Sequence, residues 1–159
     1  MADERGGTPG CGYVALGANL GDPSAMLARA IEALDGPGLR VLGRARLFRT
    51  RPVGPIPQPD FLNTVVEVES TLSPLELLDR LLWIETTLGR VRAERWGPRL
   101  IDLDLLALGT AQVQTPRLTL PHPELARRAF VLVPWAELAP GFVVPGTGRT
   151  CLLYTSRCV

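Results

Sequence analysis

The chain has no lysine: all 17 of its cationic residues are arginine, set against 16 acidic ones. The resulting net charge of +1 leaves no broad basic surface of the kind that coats nucleic acid. Histidine is nearly missing too, with a single residue, and the cysteines (Cys11, Cys151 and Cys158) sit at the two ends without a C-x-x-C pair. Zinc sites and disulfide frameworks are therefore excluded as organising principles. No apolar run reaches the length that spans a bilayer, and the N-terminal MADERGGTPG lacks the apolar stretch of a signal peptide. A cytoplasmic location without membrane contact is expected. Neither G-K-[ST] nor G-x-G-x-x-G accompanies the glycine loop Gly17-Ala18-Asn19-Leu20-Gly21. That loop reads as a tight strand-to-helix turn rather than a phosphate cradle.

What remains describes one ordinary soluble domain. With 159 residues, 46% of them hydrophobic, the chain is long and apolar enough to bury a core. Residues 1–11, Gly-rich and charged, read as a mobile tail. Gly12 to Leu16 predicts a buried strand. Asp22-Pro23 opens a helix with an N-cap and a proline at the first position, carrying Met26, Leu27, Ala30, Ile31 and Leu34 on one stripe until Gly36-Pro37-Gly38. Leu39 to Phe48 predicts one strand and Phe61 to Glu69 another. The segment between holds four prolines in ten residues, Thr50 to Pro59, and suits a stiff connector or a preshaped wall. Ser73-Pro74-Leu75-Glu76 is a capping box opening a helix to about Leu88, with Leu78, Leu81, Leu82 and Leu88 inward. Glu85 shares that stripe, so it must be paired, and the arginines nearby are its natural partners. A turn at Gly109-Thr110, a return strand at Val113, an amphipathic helix ending near Ala139 and a strand at Phe142 to Val144 complete the reading. The β-α-β-β-α-β order predicts an α+β fold, a ferredoxin-like sandwich with an antiparallel-rich sheet and helices packed on one face.

Chemistry concentrates between Gly89 and Leu106. Arg90, Arg92, Arg95 and Arg99, interrupted by Trp96, precede the alternation Ile101-Asp102-Leu103-Asp104-Leu105. On a strand, Asp102 and Asp104 share one face and the aliphatic residues the other. Adjacent carboxylates repel unless a proton or cation lies between them, and oxygen-only ligation suits Mg²⁺ with substrate phosphates. Guanidinium forks are common phosphate clamps. Taken singly, the aspartates also fit a solvated sheet face, and the arginines a solvated loop. His122, fixed between Pro121 and Pro123, fits a phosphate donor or an exposed loop residue.

Pro52-Val53-Gly54-Pro55, Phe61-x-Asn63, Arg95-Trp96-Gly97-Pro98-Arg99-x-x-Asp102-Leu103-Asp104, and Leu120-Pro121-His122-Pro123 through Arg128-x-Phe130 occur in that order. With these motifs the chain, over about residues 12–145, resembles the 6-hydroxymethyl-7,8-dihydropterin pyrophosphokinases. The resemblance implies transfer of pyrophosphate from MgATP to the pterin hydroxymethyl group, releasing AMP, on the route to folate. It implies two Mg²⁺ ions on Asp102 and Asp104, with catalysis carried by Arg90, Arg92, Asp102 and Asp104. ATP would be held by Arg90, Arg92, Arg95, Trp96, Arg99, Thr119 and His122. The pterin would meet Thr50, Val53, Phe61, Asn63, Trp96, Arg128 and Phe130, with Phe130 stacked on the ring. Such an enzyme is expected to act as a monomer on small molecules. The proton acceptor stays open between Asp102 and metal activation of the hydroxyl.

Three positions depart from the family pattern: Ala18 where serine is frequent, Phe61 where tyrosine is frequent, and Arg51 where an apolar residue or proline is frequent. A Mg²⁺-dependent nuclease or phosphatase would need further carboxylates or a histidine cluster. A ferredoxin-like RNA-binding module would need an RNP-type aromatic motif. The segment from Cys151 to Val159 departs from the family as well. Cys-Leu-Leu-Tyr-Thr-Ser can be encoded by TGTCTCTTATACACATCT, the end of a transposon-based sequencing adapter, so residues 151–159 are expected to be read-through. Residues 12–150 then form the single domain.

Overall fold

The computed structural model describes residues 10–52, 54–89, 100–125 and 128–156, the last three as backbone. At its centre is β1 (Gly10–Ala18), hydrogen-bonded antiparallel to β4 (Phe61–Ser70) on one side and β5 (Asp102–Leu108) on the other. β1 begins before the expected Gly12 and continues beyond Leu16, so Gly17 and Ala18 belong to the strand and not to a turn. The outer edge of β4 carries β2 (Leu39–Arg44) and then β3 (Phe48–Thr50), giving the order β2-β4-β1-β5 with β3 beside β2 on β4. The single strand expected over Leu39 to Phe48 is thus two. A register shift between Val41 and Gly43 precedes the break, and Ala45 still donates its N–H to the Val65 carbonyl at 2.9 Å.

Helices α1 (Pro23–Leu34) and α2 (Pro74–Thr87) start where the sequence places them. Asp22 accepts from the Ala25 N–H, and Ser73 and Glu76 form both bonds of the capping box. They cover one sheet face, where Leu27, Leu34, Leu77, Leu81 and Ile84 meet Val14, Leu16, Val66, Val68, Leu103 and Leu105. The phase of α2 differs from expectation. Leu77, Leu81, Ile84 and Glu85 are the buried residues, and Leu82 is 46% exposed. Spacings of four and three from Leu77 define the inner stripe, which leaves Leu82 on the outer flank.

The other sheet face is covered as well, unlike the one-sided sandwich expected. Helix α3 (Ala129–Leu138) packs Val131, Leu132 and Trp135 against Tyr13, Ala15, Val65 and Leu106. Burial on several sides makes α3 largely apolar rather than amphipathic. Hairpin strands β6 (Val113–Gln114) and β7 (Thr119–Leu120) follow β5. After α3 come β8 (Val143–Val144), β9 (Arg149–Thr150) and α4 (Cys151–Ser156), whose Cys151 is buried in the second core with its thiol pKa pushed up to about 12 by burial. No helix among the described residues is long and apolar enough to cross a membrane.

Candidate active site

Several of the candidate residues line up across one end of the sheet. Paired residues of adjacent antiparallel strands share a face, and here Phe48 on β3 pairs with Asn63 on β4, Asn63 with Gly17 on β1, and Gly17 with Asp102 on β5. Asp104 lies one step along, opposite Ala15, and Thr50 opposite Phe61. All of these lie on the α3 side of the sheet, where Asn63 is buried and Asp102 and Asp104 are half-buried. Gly17 is what gives the Asn63 side chain room in the row. A Cβ built there would meet Asn63 Oδ1 at 2.8 Å, so only glycine lets the amide lie across β1. Asn63 is 6% exposed and donates from Nδ2 to Thr50 Oγ1 at 2.6 Å, which fixes its orientation.

Asn19, just past β1, anchors the proline-rich segment. Its buried side chain donates to Gln58 Oε1 and to the Pro59 carbonyl, both at 2.9 Å. With β3 and β4 pairing at Thr50 and Phe61, the segment is held at both ends.

Asp102 and Asp104 are half-buried, and the alternating Ile101, Leu103 and Leu105 are buried in the first core. Their strand is pinned from behind: the Leu103 N–H donates to Glu85 Oε2 at 2.7 Å. The expected pairing of Glu85 therefore includes a main-chain partner, the amide between the two aspartates. Its arginine candidates lie outside the described residues. In front, Arg128 donates from Nη1 to Asp104 Oδ2 at 3.3 Å and from Nε and Nη2 to Glu124 Oε2 at 3.2 and 2.6 Å. The same guanidinium lies 5.7 Å from the centre of the Phe130 ring, within range of a cation–π contact. Pro134 within α3 removes the N–H that the Phe130 carbonyl would accept in an unbroken helix.

His122 is tied to the same edge. Its N–H donates to the Leu106 carbonyl at 3.0 Å, and its Nδ1 accepts from the Glu124 N–H at 3.2 Å. Burial and then the Arg128 charge lower its pKa, with Glu124 and Asp102 pulling the other way. A neutral ring accepting at Nδ1 keeps its proton on Nε2. Thr119 is in β7, paired with Gln114, on the strand that leads into the histidine loop.

The structure thus brings together Asp102, Asp104, His122, Arg128 and Phe130 at one edge, and Thr50, Phe61 and Asn63 along the same row. Val53, Arg90, Arg92, Arg95, Trp96 and Arg99 lie outside the described residues. Sequence reasoning missed Gly17, Asn19 and Glu124. A glycine inside a strand was the available signal for the first, since such a residue often marks a close approach. Ala18 is buried in the first core, so the departure from serine falls on the face away from the row.

Comparison with known proteins identifies the family. Residues 13–140 match the model of the family described as 7,8-dihydro-6-hydroxymethylpterin-pyrophosphokinase. The chain belongs to this family. A Methylorubrum extorquens protein named 2-amino-4-hydroxy-6-hydroxymethyldihydropteridine pyrophosphokinase is 52% identical over 135 residues, covering 84% of this chain and 85% of that one. A Synechocystis protein of the same name is 46% identical over 140 residues, covering 87% and 71%. Among solved structures, a Plasmodium falciparum HPPK-DHPS triple mutant superposes with a TM-score of 0.74 at 11% identity. That match covers 94% of this chain and only 43% of the Plasmodium one, so it speaks for the fold and for less than half of the longer protein.

The donor set of this pyrophosphokinase fits a divalent cation. Two half-exposed carboxylates share a face, and a guanidinium is already drawn to one of them. Among the described residues no three of His, Cys, Asp and Glu group to hold a metal alone. A cation here completes its shell with water and phosphate oxygens, as Mg²⁺ commonly does.

Proposed function

We propose that this chain transfers the pyrophosphoryl group of MgATP to the hydroxymethyl oxygen of 6-hydroxymethyl-7,8-dihydropterin, releasing AMP, in folate biosynthesis. Membership of the pyrophosphokinase family carries the reaction class. The observation that carries the site is the row from Asp102 through Gly17 to Asn63, which aligns an acidic edge with a fixed amide on one face of the sheet.

In this reading Asp102 and Asp104 hold two Mg²⁺ ions, which when bound neutralise the triphosphate and help stabilise the displacement. Asn63 and Thr50 read the amide and amine edge of the pterin, Phe61 and Val53 line its pocket, and Phe130 stacks on the ring with Arg128 beside it. Arg90, Arg92, Arg95, Arg99, Thr119 and His122 hold ATP oxygens. Trp96 helps close the site against water, so that ATP is not spent on hydrolysis. The hydroxymethyl oxygen attacks the β-phosphorus, the bond from that phosphorus to the AMP oxygen breaks, and we assign the hydroxyl proton to Asp102. Phosphoryl-type transfer asks chiefly for alignment and charge neutralisation, which these groups supply.

The same reading makes the chain from Gly10, where β1 begins, to about residue 150 a single monomeric pyrophosphokinase domain working in the cytoplasm, and residues 151–159 read-through of which Cys151 packs into the second core. Incubation with MgATP should yield AMP only when the pterin is added. Phosphate release without pterin would point to a hydrolase and overturn the assignment. Finding the codons for 151–159 in re-sequenced genomic DNA would overturn the reading of the tail.

A further inference from the structure

Arg128 is shared between two carboxylates of different standing. Two of its nitrogens are on Glu124 Oε2, at 2.6 and 3.2 Å, and the third is on Asp104 Oδ2 at the longer distance of 3.3 Å. Asp104 is a residue of the row, whereas Glu124 stands four positions before Arg128 on the loop leading into α3. The guanidinium side chain is 25% exposed and that of Asp104 32% exposed. Their attraction is therefore only partly screened by solvent, and it falls on the oxygen-rich edge that a divalent cation would use. A positive group at 3.3 Å from a carboxylate oxygen raises the free energy of placing a second cation on that oxygen.

We propose that Arg128 is a built-in competitor for the cation site. With no divalent ion bound, its Nη1 occupies Asp104 Oδ2. Arrival of the ion displaces Nη1, and the two bonds to Glu124 keep the guanidinium beside Phe130 instead of releasing it to solvent. Cation loading and the position of Arg128 next to the ring of Phe130 are thereby linked. The competitor raises the Mg²⁺ concentration at which the nucleotide is captured, and Glu124 opposes it by offering the guanidinium an alternative seat. The inference rests on the assignment of Asp104 as a cation ligand.

The test needs no turnover. Binding of α,β-methylene ATP, in which the bond broken in the reaction is replaced, is followed by calorimetry at stepped Mg²⁺ without pterin. The R128Q variant should need less Mg²⁺ for half-maximal binding, by about three- to fivefold, the range set by a partly exposed ion pair. Glu124→Gln removes the alternative seat and should raise the requirement. R128K separates contact from field: it keeps the charge but has one nitrogen for two carboxylates, so its requirement should fall with that of R128Q. A wild-type requirement in R128K, or an unchanged or raised one in R128Q, overturns the competitor. If Asp104→Asn leaves the Mg²⁺ requirement untouched, the assignment of Asp104 falls, and the competitor with it.

Discussion

Gly17 and Asn63 face each other across the β1–β4 seam so closely that an added Cβ would lie 2.8 Å from the amide oxygen. Gly17→Ala should push the Asn63 amide off its bond with Thr50 while leaving the strand intact. Loss of one oriented polar contact to a ligand is worth about 1–3 kcal/mol. The pterin dissociation constant is therefore expected to rise roughly tenfold or more, at ~1.4 kcal/mol per decade. Binding of the ATP analogue should change little. Equal losses for both ligands would show a general distortion in place of a displaced amide.

Glu85 reaches from α2 to the amide between the two aspartates, and it is 3% exposed. Glu85→Leu leaves the Leu103 N–H without this acceptor, at a cost of about 1–3 kcal/mol. Glu85→Gln keeps an acceptor oxygen and should cost less. Urea unfolding of the two variants ranks them, and a Leu variant as stable as the Gln one would refute the anchor.

Asp104→Ala should lower kcat by at least about 10²-fold, since several kcal/mol of charge stabilisation is lost. Phe130→Ala should act on pterin binding instead, the stacked ring being worth ~0.5–1.5 kcal/mol beyond its area. Steady-state kinetics together with pterin titration separate the two effects. Wild-type turnover without the Asp104 carboxylate is incompatible with the proposed reaction.

The sole histidine gives a clean pH probe. Burial and the Arg128 charge hold His122 below its ordinary value of 6.5, so the folded protein binds its proton less readily than the unfolded chain does. The stability contributed by neutral His122 is complete above pH 6.5 and is lost as pH falls through the folded pKa. The Cε1 proton resonance, the only one of its kind in this chain, should titrate with a midpoint below 6.5. A midpoint above that value would contradict the burial of the ring beside Arg128.

The elements that carry the candidate site were legible in the sequence where their signals are local. The capping box at Ser73, the Asp22 cap and the alternation around Leu103 are local signals, each set by residues within one turn or one pleat, and each is found as expected. What escaped depends on partners distant in the chain. The phase of α2 follows from which leucines meet β5. The break between β2 and β3 follows from the way β4 accepts two partners on one edge. The role of Gly17 follows from a side chain 46 positions later lying across it. No window of sequence contains those relations.

Among the described residues β5 is an edge strand of the sheet, zipped to β1. The acidic pair thus rides on the margin of the fold, held by one neighbouring strand, the clasp from α2 and the contacts of His122 and Arg128. Fraying of that margin would disarm the protein while the rest of its architecture still stood, so a gently destabilised variant would go silent well before it melted.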